Sequence, residues 1–189
     1  MGKGSQFERE VCKILSLWWT DGKREDVFWR TAGSGARATQ RNKIGKKTFG
    51  QDGDVQATDP IGQPLIDLCS IEIKRGYSKN TIFDILDKPK KAKLQIYEQF
   101  INQSCKENKN SGAIYWMLIT RRNRRETIVF IPYWFFKELK ALNPLIHLET
   151  HLRFNGSYCI YALKLNSFLN IITPRNIKTM IKGRNCGKS

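Results

Sequence analysis

Histidine is scarce in this chain of 189 residues, which contains only His147 and His151. Their four-residue spacing would suit a zinc pair on a helix, but the segment HLETH looks partly extended, so we expect neither residue to bind metal. The shortage also disfavours active sites that depend on histidine as a general base. The five cysteines are widely spaced and form no C-x-x-C pair, which argues against a zinc cluster and favours reduced thiols.

Long apolar runs are also lacking, since none approaches the roughly 20 residues that a transmembrane helix requires. The first ten residues, MGKGSQFERE, contain no apolar stretch of the signal-peptide type. From these absences we expect a soluble intracellular protein of the cytoplasm or nucleoid, with no membrane partner.

Acidic residues are few, because 17 Asp and Glu stand against 33 Lys and Arg, giving a formal net charge of +16. A compact chain with this balance attracts polyanions. Lys and Arg bind nucleic acid by displacing counterions from its phosphates. Nucleic acid is therefore the first candidate partner, and an anionic membrane surface is the rival.

Hydrophobic periodicity predicts a single α/β domain over residues 1–189, with a mixed central sheet flanked by helices. Residues 113–120 are apolar almost throughout, which is typical of a buried central strand. The Gly-rich basic segment after residue 31 predicts a loop, and the arginines of 121–125 predict the tip of a hairpin. The predicted elements are a helix over 4–19 capped by Ser5, strands over 27–31, 53–58 and 65–74, a helix over 90–107, strands over 113–120 and 127–131, a helix from Pro132, strands near 145–153 and 157–165, and short terminal helices.

The sequence IEIK at 71–74 places a carboxylate and an ammonium on the same face of a strand. Side chains alternate along a strand, so Glu72 and Lys74 project into the same space. Asp54 follows a glycine at the start of a neighbouring strand, and strand pairing would bring it close to Glu72. The inner face of the first helix supplies a third carboxylate, Glu8.

Two nearby carboxylates suit Mg²⁺, a hard cation that takes oxygen ligands and keeps several waters. Such an ion can orient a water nucleophile and stabilise the charge of a phosphoryl transition state. Lys74 would hold or deprotonate the water, or neutralise developing charge. The acids and Lys74 therefore predict metal-dependent cleavage of phosphodiester bonds.

The order of these motifs resembles that of the PD-(D/E)XK nucleases, and in particular the archaeal-type Holliday junction resolvases and their phage relatives. The resemblance lies in KGSQFERE at 3–10, RTAGSG at 30–35, GD at 53–54 and IEIK at 71–74. It covers about the first 75 residues, and Gly53 stands where the family usually has proline. The resemblance implies a restriction-endonuclease-like core over about 4–131, in the order helix, three-stranded meander, helix and strand, followed by a C-terminal extension over about 132–189.

The resemblance also assigns roles to individual residues. Asp54, Glu72 and the backbone carbonyl of Ile73 would hold Mg²⁺, with Mn²⁺ as a substitute, and Glu8 would support the metal directly or through water. Lys74 would be the catalytic lysine, and Ser34 would contact the scissile backbone. DNA, branched or duplex, would be the substrate. A homodimer is expected, because a junction presents two symmetric strands.

Basic residues predict the DNA-binding surface. They lie in the first helix and first strand, in the Gly-rich loop and at the hairpin tip. Gln95, on the second long helix, is a further candidate for the site. The basic residues are Lys3, Arg9, Arg30, Arg37, Arg41, Lys43, Lys46, Lys47, Arg121, Arg122, Arg124 and Arg125.

Alternatives remain open from the sequence alone. Glu10 competes with Glu8 and Asp52 with Asp54, although the family pattern favours Glu8 and the start of the strand favours Asp54. A homing or restriction endonuclease could use the same fold. A catalytically silent nucleic-acid-binding protein would bind DNA with a steep salt dependence and no need for metal.

Overall fold

The computed structural model of the chain describes residues 3–31, 53–89, 91–147, 149–154 and 158–185. Two short 3-10 helices, Pro60–Gly62 and Ile82–Ile85, lie in the connections. The α-helices are α1 (Lys3–Trp19), α2 (Gln63–Leu68), α3 (Ile96–Ser111), α4 (Tyr133–Leu142), α5 (Leu165–Ile171) and α6 (Pro174–Asn185). The strands are β1 (Phe28–Arg30), β2 (Val55–Ala57), β3 (Cys69–Arg75), β4 (Tyr115–Arg121), β5 (Thr127–Pro132), β6 (Thr150–Phe154) and β7 (Tyr158–Lys164).

Five strands form a mixed sheet in the order β3-β4-β5-β7-β6. β3 and β4 are parallel, and α3 makes the crossover that parallel neighbours require. The other neighbours in this sheet are antiparallel. The α/β fold class with a mixed central sheet is thus confirmed. β1 and β2 form a separate antiparallel pair instead of a continuous meander with β3.

Helices cover both faces of the sheet, and each face has its own core. On one face, Met117 and Ile119 of β4 join a large core that includes side chains of α1, α4, α5 and α6. On the other face, Trp116 and Leu118 join a smaller core beneath α3. β4 is therefore apolar almost throughout because both of its faces are covered, as the sequence predicts.

The prediction of a single strand over 65–74 is wrong in its first half, where the structure has α2. Pro64 lies in the first turn of α2, where its missing N–H is not needed. Leu65 and Leu68, three residues apart, are both buried, which is helical spacing. The alternation of a strand begins only at Cys69.

Two helix boundaries also differ from the prediction. α1 begins at Lys3, so Ser5 lies within its first turn and does not precede it as a cap. α3 begins at Ile96, well after residue 90, because Gln95 and Glu98 form a reciprocal capping box there. Gly112 ends α3 in the left-handed conformation, with a φ of 77°.

The C-terminal part of the chain belongs to the same fold. β6 and β7 complete the five-stranded sheet. Phe168 of α5 and Ile177 of α6 are buried in the large core. None of the helices in the described ranges has both the length and the apolar character needed to cross a bilayer.

Candidate active site

The polar face of β3 carries the acid and lysine of the IEIK segment. Ile71 and Ile73 point into the large core, so Glu72 and Lys74 point to the opposite face, as alternation predicts. The side chain of Glu72 is 3% exposed and that of Lys74 is 20% exposed. Lys74 donates a short hydrogen bond to Glu72 Oε1. The pair therefore has a buried carboxylate and an ammonium closer to solvent.

Asp54 lies against the free edge of β3, just before β2. Its backbone N–H donates to the carbonyl of Ile71 at 2.7 Å, and its Oδ2 accepts from the N–H of Ile73 at 2.8 Å. These two bonds bracket Glu72 and place the buried Asp54 beside it. The expected approach of Asp54 to Glu72 is confirmed, although the contact is made at the sheet edge and not by a regular strand ladder.

Gly53 allows this close approach. It has a φ of +87°, and a Cβ at this position would lie 2.9 Å from the carbonyl oxygen of Ile71. A proline, whose ring fixes φ near −65°, cannot adopt this conformation. The departure from the usual proline of the family therefore has a local cause, because the chain enters the site in a left-handed turn pressed against β3.

Helix α3 covers the polar face of β3 and adds two residues that the sequence reasoning missed. Gln103 Nε2 donates to Glu72 Oε1 and to Glu107 Oε1, both at 2.8 Å. The Lys74 ammonium lies 5.7 Å from the ring centroid of Phe100. Phe100, Gln103 and Glu107 follow the i, i+3, i+7 spacing of one helix face. That spacing was a readable signal, because it places two polar residues on a face that begins with a buried aromatic.

Negative charge exceeds positive charge at this position. Burial first, and then the hydrogen bond with Glu107 and the charge of Asp54, raises the pKa of Glu72 to about 9. Burial alone would lower the pKa of Lys74, but the charge and hydrogen bond of Glu72 raise it above the ordinary value. Glu107 Oε2 is buried and finds no hydrogen-bond partner among the described residues. The charges of Glu72, Asp54 and Glu107 therefore all act on the one ammonium of Lys74.

Glu8 and Glu10, the two candidates on α1 for the third carboxylate of the site, have different partners. Glu8 Oε2 accepts from Arg30 Nε at 2.8 Å. Burial, followed by the charges of Glu8 and Asp54, raises the pKa of Cys12 to about 12, which places both carboxylates around this thiol. Glu10 instead accepts from Arg121 Nη1 at 2.6 Å, and that hydrogen bond lowers the pKa of Glu10. Glu8 is thus on the Asp54 side of α1.

A protein family described as "phage putative PDDEXK endonuclease" matches residues 1–179. The chain belongs to this family. The match supports the assignment to the PD-(D/E)XK superfamily and makes the protein a member of a nuclease family that acts on DNA, in a superfamily that generally uses divalent metals. It also includes most of the segment over 132–189, for which the resolvase resemblance gave no counterpart. No curated protein and no solved structure matches the chain.

The hairpin of this PD-(D/E)XK protein differs from the prediction at one arginine. Arg121 is the last residue of β4, where its guanidinium pairs with Glu10 and lies 4.2 Å from the ring centroid of Phe7, so it does not belong to the tip. The sequence could not show this, because Glu10 is 111 positions away. The turn itself contains Arg122 and the exposed Arg124 and Arg125.

The basic turn nevertheless lies at the same end of the sheet as Lys74, where the parallel strands β3 and β4 both finish. β3 and β4 are parallel, with Lys74 opposite Thr120 and Arg75 opposite Arg121. The N–H of Gly76 donates to the carbonyl of Arg121 at 3.0 Å. β4 ends at Arg121, beside the end of β3 that carries Lys74, and the basic turn begins there.

Gln95, the further candidate from sequence, serves as the N-cap of α3. Its Nε2 donates to the carbonyl of Lys93 at 3.1 Å. Gln103, which contacts Glu72, lies eight residues later, or about 12 Å along the helix axis. The helix does contribute a polar residue to the site, but it is Gln103.

The remaining predicted residues have varied positions. Lys3 is the first residue of α1, Arg9 is half-buried within α1, and Arg30 pairs with Glu8. His151 stacks on Tyr161 with ring centroids 5.6 Å apart. Asp52, the alternative to Asp54, lies outside the described ranges. So do six predicted site residues, which are Ser34, Arg37, Arg41, Lys43, Lys46 and Lys47.

Proposed function

We propose that this protein is a Mg²⁺-dependent endonuclease that hydrolyses DNA phosphodiester bonds at the polar edge of β3. The observation that carries the proposal is that Asp54 is held at the edge of β3 beside the buried Glu72, which pairs with Lys74 and receives a hydrogen bond from Gln103, itself bonded to Glu107. Burying several carboxylates with one ammonium is costly unless a further cation compensates their charge. A divalent ion supplies that compensation.

The donors at this edge suit a hard cation. The N–H and C=O of one strand residue point to the same side, so the carbonyl of Ile73 faces the edge where its N–H meets Asp54. Asp54, Glu72 and the carbonyl of Ile73 would together give an all-oxygen ligand set. Within the described ranges, no three His, Cys, Asp or Glu side chains converge to enclose a metal by themselves. Mg²⁺ does not require this, because it takes one or two carboxylates and keeps several waters, and Mn²⁺ accepts the same ligands.

When bound, the ion would activate water and stabilise charge on the phosphoryl group. Lys74 is the more exposed partner of Glu72, and its ammonium would meet a phosphate oxygen and neutralise the charge that develops there. In the hydrolysis, a water oxygen bonds to phosphorus and its proton passes to solvent, while the bond to the leaving oxygen breaks and that oxygen takes a proton from solvent. Glu72 and Asp54 would keep the reacting groups in place.

The surroundings would position the DNA. Glu8 would support the metal through water, and its partner Arg30 would lie between that carboxylate and the DNA backbone. Ser34 and the basic residues between positions 37 and 47 would contact the phosphates near the cleaved bond. The arginines of the turn after β4 would hold the backbone further along.

We propose a resolvase-like substrate, a four-way DNA junction, cut by a homodimer. The support is the KGSQFERE and RTAGSG segments, whose resemblance to resolvases is closer than that of the IEIK segment alone. A site-specific homing or restriction endonuclease is the alternative with the same chemistry. Sedimentation of the protein alone and with junction DNA would test the dimer.

Cleavage of labelled linear duplex, circular plasmid and four-way junction DNA tests the function. Each substrate is incubated with Mg²⁺ or EDTA, with wild type, Lys74→Ala and Lys79→Ala, an exposed lysine outside the site. We expect metal-dependent cutting by wild type and Lys79→Ala and none by Lys74→Ala. Binding without cutting under Mg²⁺ or Mn²⁺ would contradict the proposal and favour a silent binding protein.

A further inference from the structure

A second concave site lies on the same face of the sheet as Glu72 and Lys74. It is a cavity of about 440 Å³, enclosed by the sheet, the start of α3, the 3-10 segment before it and the basic turn. Its volume falls in the range of small-molecule sites, roughly 300–1,000 Å³. None of the metal-site residues lines it.

The strand register connects this cavity to Lys74. Lys74 lies opposite Thr120 of β4, and Thr120 lies opposite Ile128 of β5. Paired residues share a face, and neighbouring strands are about 4.8 Å apart. Thr120 and Ile128 both line the cavity. The cavity therefore opens one strand away from the proposed catalytic lysine.

The lining combines an apolar interior with a charged mouth. Phe130 and Tyr97, which are buried, provide aromatic surface inside. Phe83 also lines the cavity and is 63% exposed, so its ring is open to solvent. Arg122 and Arg125 of the basic turn line the same cavity, together with Glu126 and Glu149. Aromatic surface beside guanidinium groups is suited to a flat π system attached to a phosphate.

We propose that this cavity receives one unpaired nucleobase of the DNA, stacked on Phe83, while Arg122 and Arg125 bind its flanking phosphates. A base inside an intact duplex cannot enter, whereas one at a branch, bulge or single-stranded end enters at little unstacking cost. The cavity would thus select DNA with an unpaired nucleotide next to the cleaved bond. This inference rests on the proposed nuclease function, since the neighbouring phosphate would be the one at Lys74.

The test measures DNA binding in EDTA, where no cutting occurs, so that its outcome is independent of catalysis. The probes are a hairpin duplex and the same hairpin with one bulged 2-aminopurine, whose fluorescence reports its stacking. We expect wild type to bind the bulged hairpin about 10-fold more tightly than the paired one, and Phe83→Ala to lose that preference. Arg125→Gln should weaken the same preference.

Leu86→Ala is the matched control, because Leu86 is equally exposed at 62% and does not line the cavity. It should keep the preference for the bulged hairpin. Equal affinity of wild type for both hairpins, or a preference that Phe83→Ala leaves intact, would overturn the inference. If the bulge preference is found but no DNA is cut in Mg²⁺, the cavity stands and the nuclease proposal fails. If DNA is cut in Mg²⁺ but wild type shows no preference for the bulged hairpin, the nuclease proposal stands and the inference about the cavity fails.

Discussion

Two glutamates are almost fully buried in this protein, and they differ in what surrounds them. Glu98 is 2% exposed and Glu72 is 3% exposed. Both oxygens of Glu98 accept from Lys88 Nζ, at 2.9 and 3.0 Å, and one also accepts from the backbone N–H of Gln95 at 2.6 Å. Glu98 is thus a neutralised capping residue of α3.

Glu72 has one lysine but two further carboxylates beside it, Asp54 and Glu107. Its hydrogen bond from Gln103 Nε2 does not add positive charge. Burial of a carboxylate therefore does not by itself indicate a functional site. The balance of charge around it distinguishes the neutralised Glu98 from Glu72, the acid that we propose as a metal ligand.

The largest expected difference in DNA cleavage is between the variants Glu72→Gln and Glu98→Gln, in which each buried glutamate becomes its neutral amide. Glu72→Gln should reduce DNA cleavage by at least about 100-fold, since a metal ligand contributes several kcal/mol to the transition state. Its free energy of unfolding without metal should stay the same or rise. Glu98→Gln should lose about 2 kcal/mol of stability, because Lys88 loses its charged partner, and the folded protein should still cut DNA. Cleavage rates and thermal unfolding measure both effects, and equal rates for the two variants would remove the distinction.

Gly53→Ala should sharpen the comparison by moving Asp54 away from Glu72. A methyl group at this position meets the Ile71 carbonyl, and displacing a reacting group by about 1 Å can cost up to roughly 100-fold in rate. Gly112→Ala is the control, since Gly112 also has a positive φ, +77°, but open space around its Cβ position. Both variants should lose about 1 kcal/mol of stability from backbone strain, and Gly53→Ala should lose more because its methyl group also clashes with the Ile71 carbonyl. Only Gly53→Ala should lose activity per folded molecule.

Glu107→Gln removes one of the excess acids without removing a proposed ligand. We expect Mn²⁺ affinity to fall about 10-fold, as for other residues that orient metal ligands, and the metal-free protein to become more stable. Titration with Mn²⁺ and unfolding in EDTA would show the two opposite changes. Glu25→Gln, at an exposed glutamate paired with Lys13, should change neither, and unchanged Mn²⁺ affinity in Glu107→Gln would exclude Glu107 from the site.

The smallest expected difference in cleavage rate is between the variants Glu8→Gln and Glu10→Gln of α1. Glu8→Gln should slow cleavage roughly fivefold, the equivalent of about 1 kcal/mol for one lost charged hydrogen bond. Glu10→Gln should leave cleavage unchanged and reduce stability by at most about 1 kcal/mol, because its pair with Arg121 is partly exposed. A larger rate loss in Glu10→Gln would reverse the assignment.

Local patterns carried most of what the sequence predicted. Alternation along IEIK correctly placed Glu72 and Lys74 on one face, and the apolar run over 113–120 correctly indicated a central strand. Motifs within the first 75 residues likewise predicted the PD-(D/E)XK superfamily, which the family match supports, whereas the resemblance to resolvases stays a prediction. The roles of the individual site residues remain proposals.

Contacts between distant segments carried what the sequence could not predict. Arg121 belongs to a run of arginines by sequence, but its partner Glu10 lies on the first helix. The spacing of Phe100, Gln103 and Glu107 predicts a shared helix face, but only the packing of the crossover helix brings that face over β3. α2 was missed because a proline and two leucines at short spacing fit a strand edge as well as a helical turn until packing decides between them.

Binding of Mn²⁺ without DNA, followed by the paramagnetic resonance of the free ion, tests the central claim most directly. Wild type and Glu98→Gln should each bind Mn²⁺ saturably and release it to Mg²⁺, and Asp54→Asn should not bind it. Equal binding by Asp54→Asn, or no saturable binding by wild type, would contradict a metal site at the edge of β3.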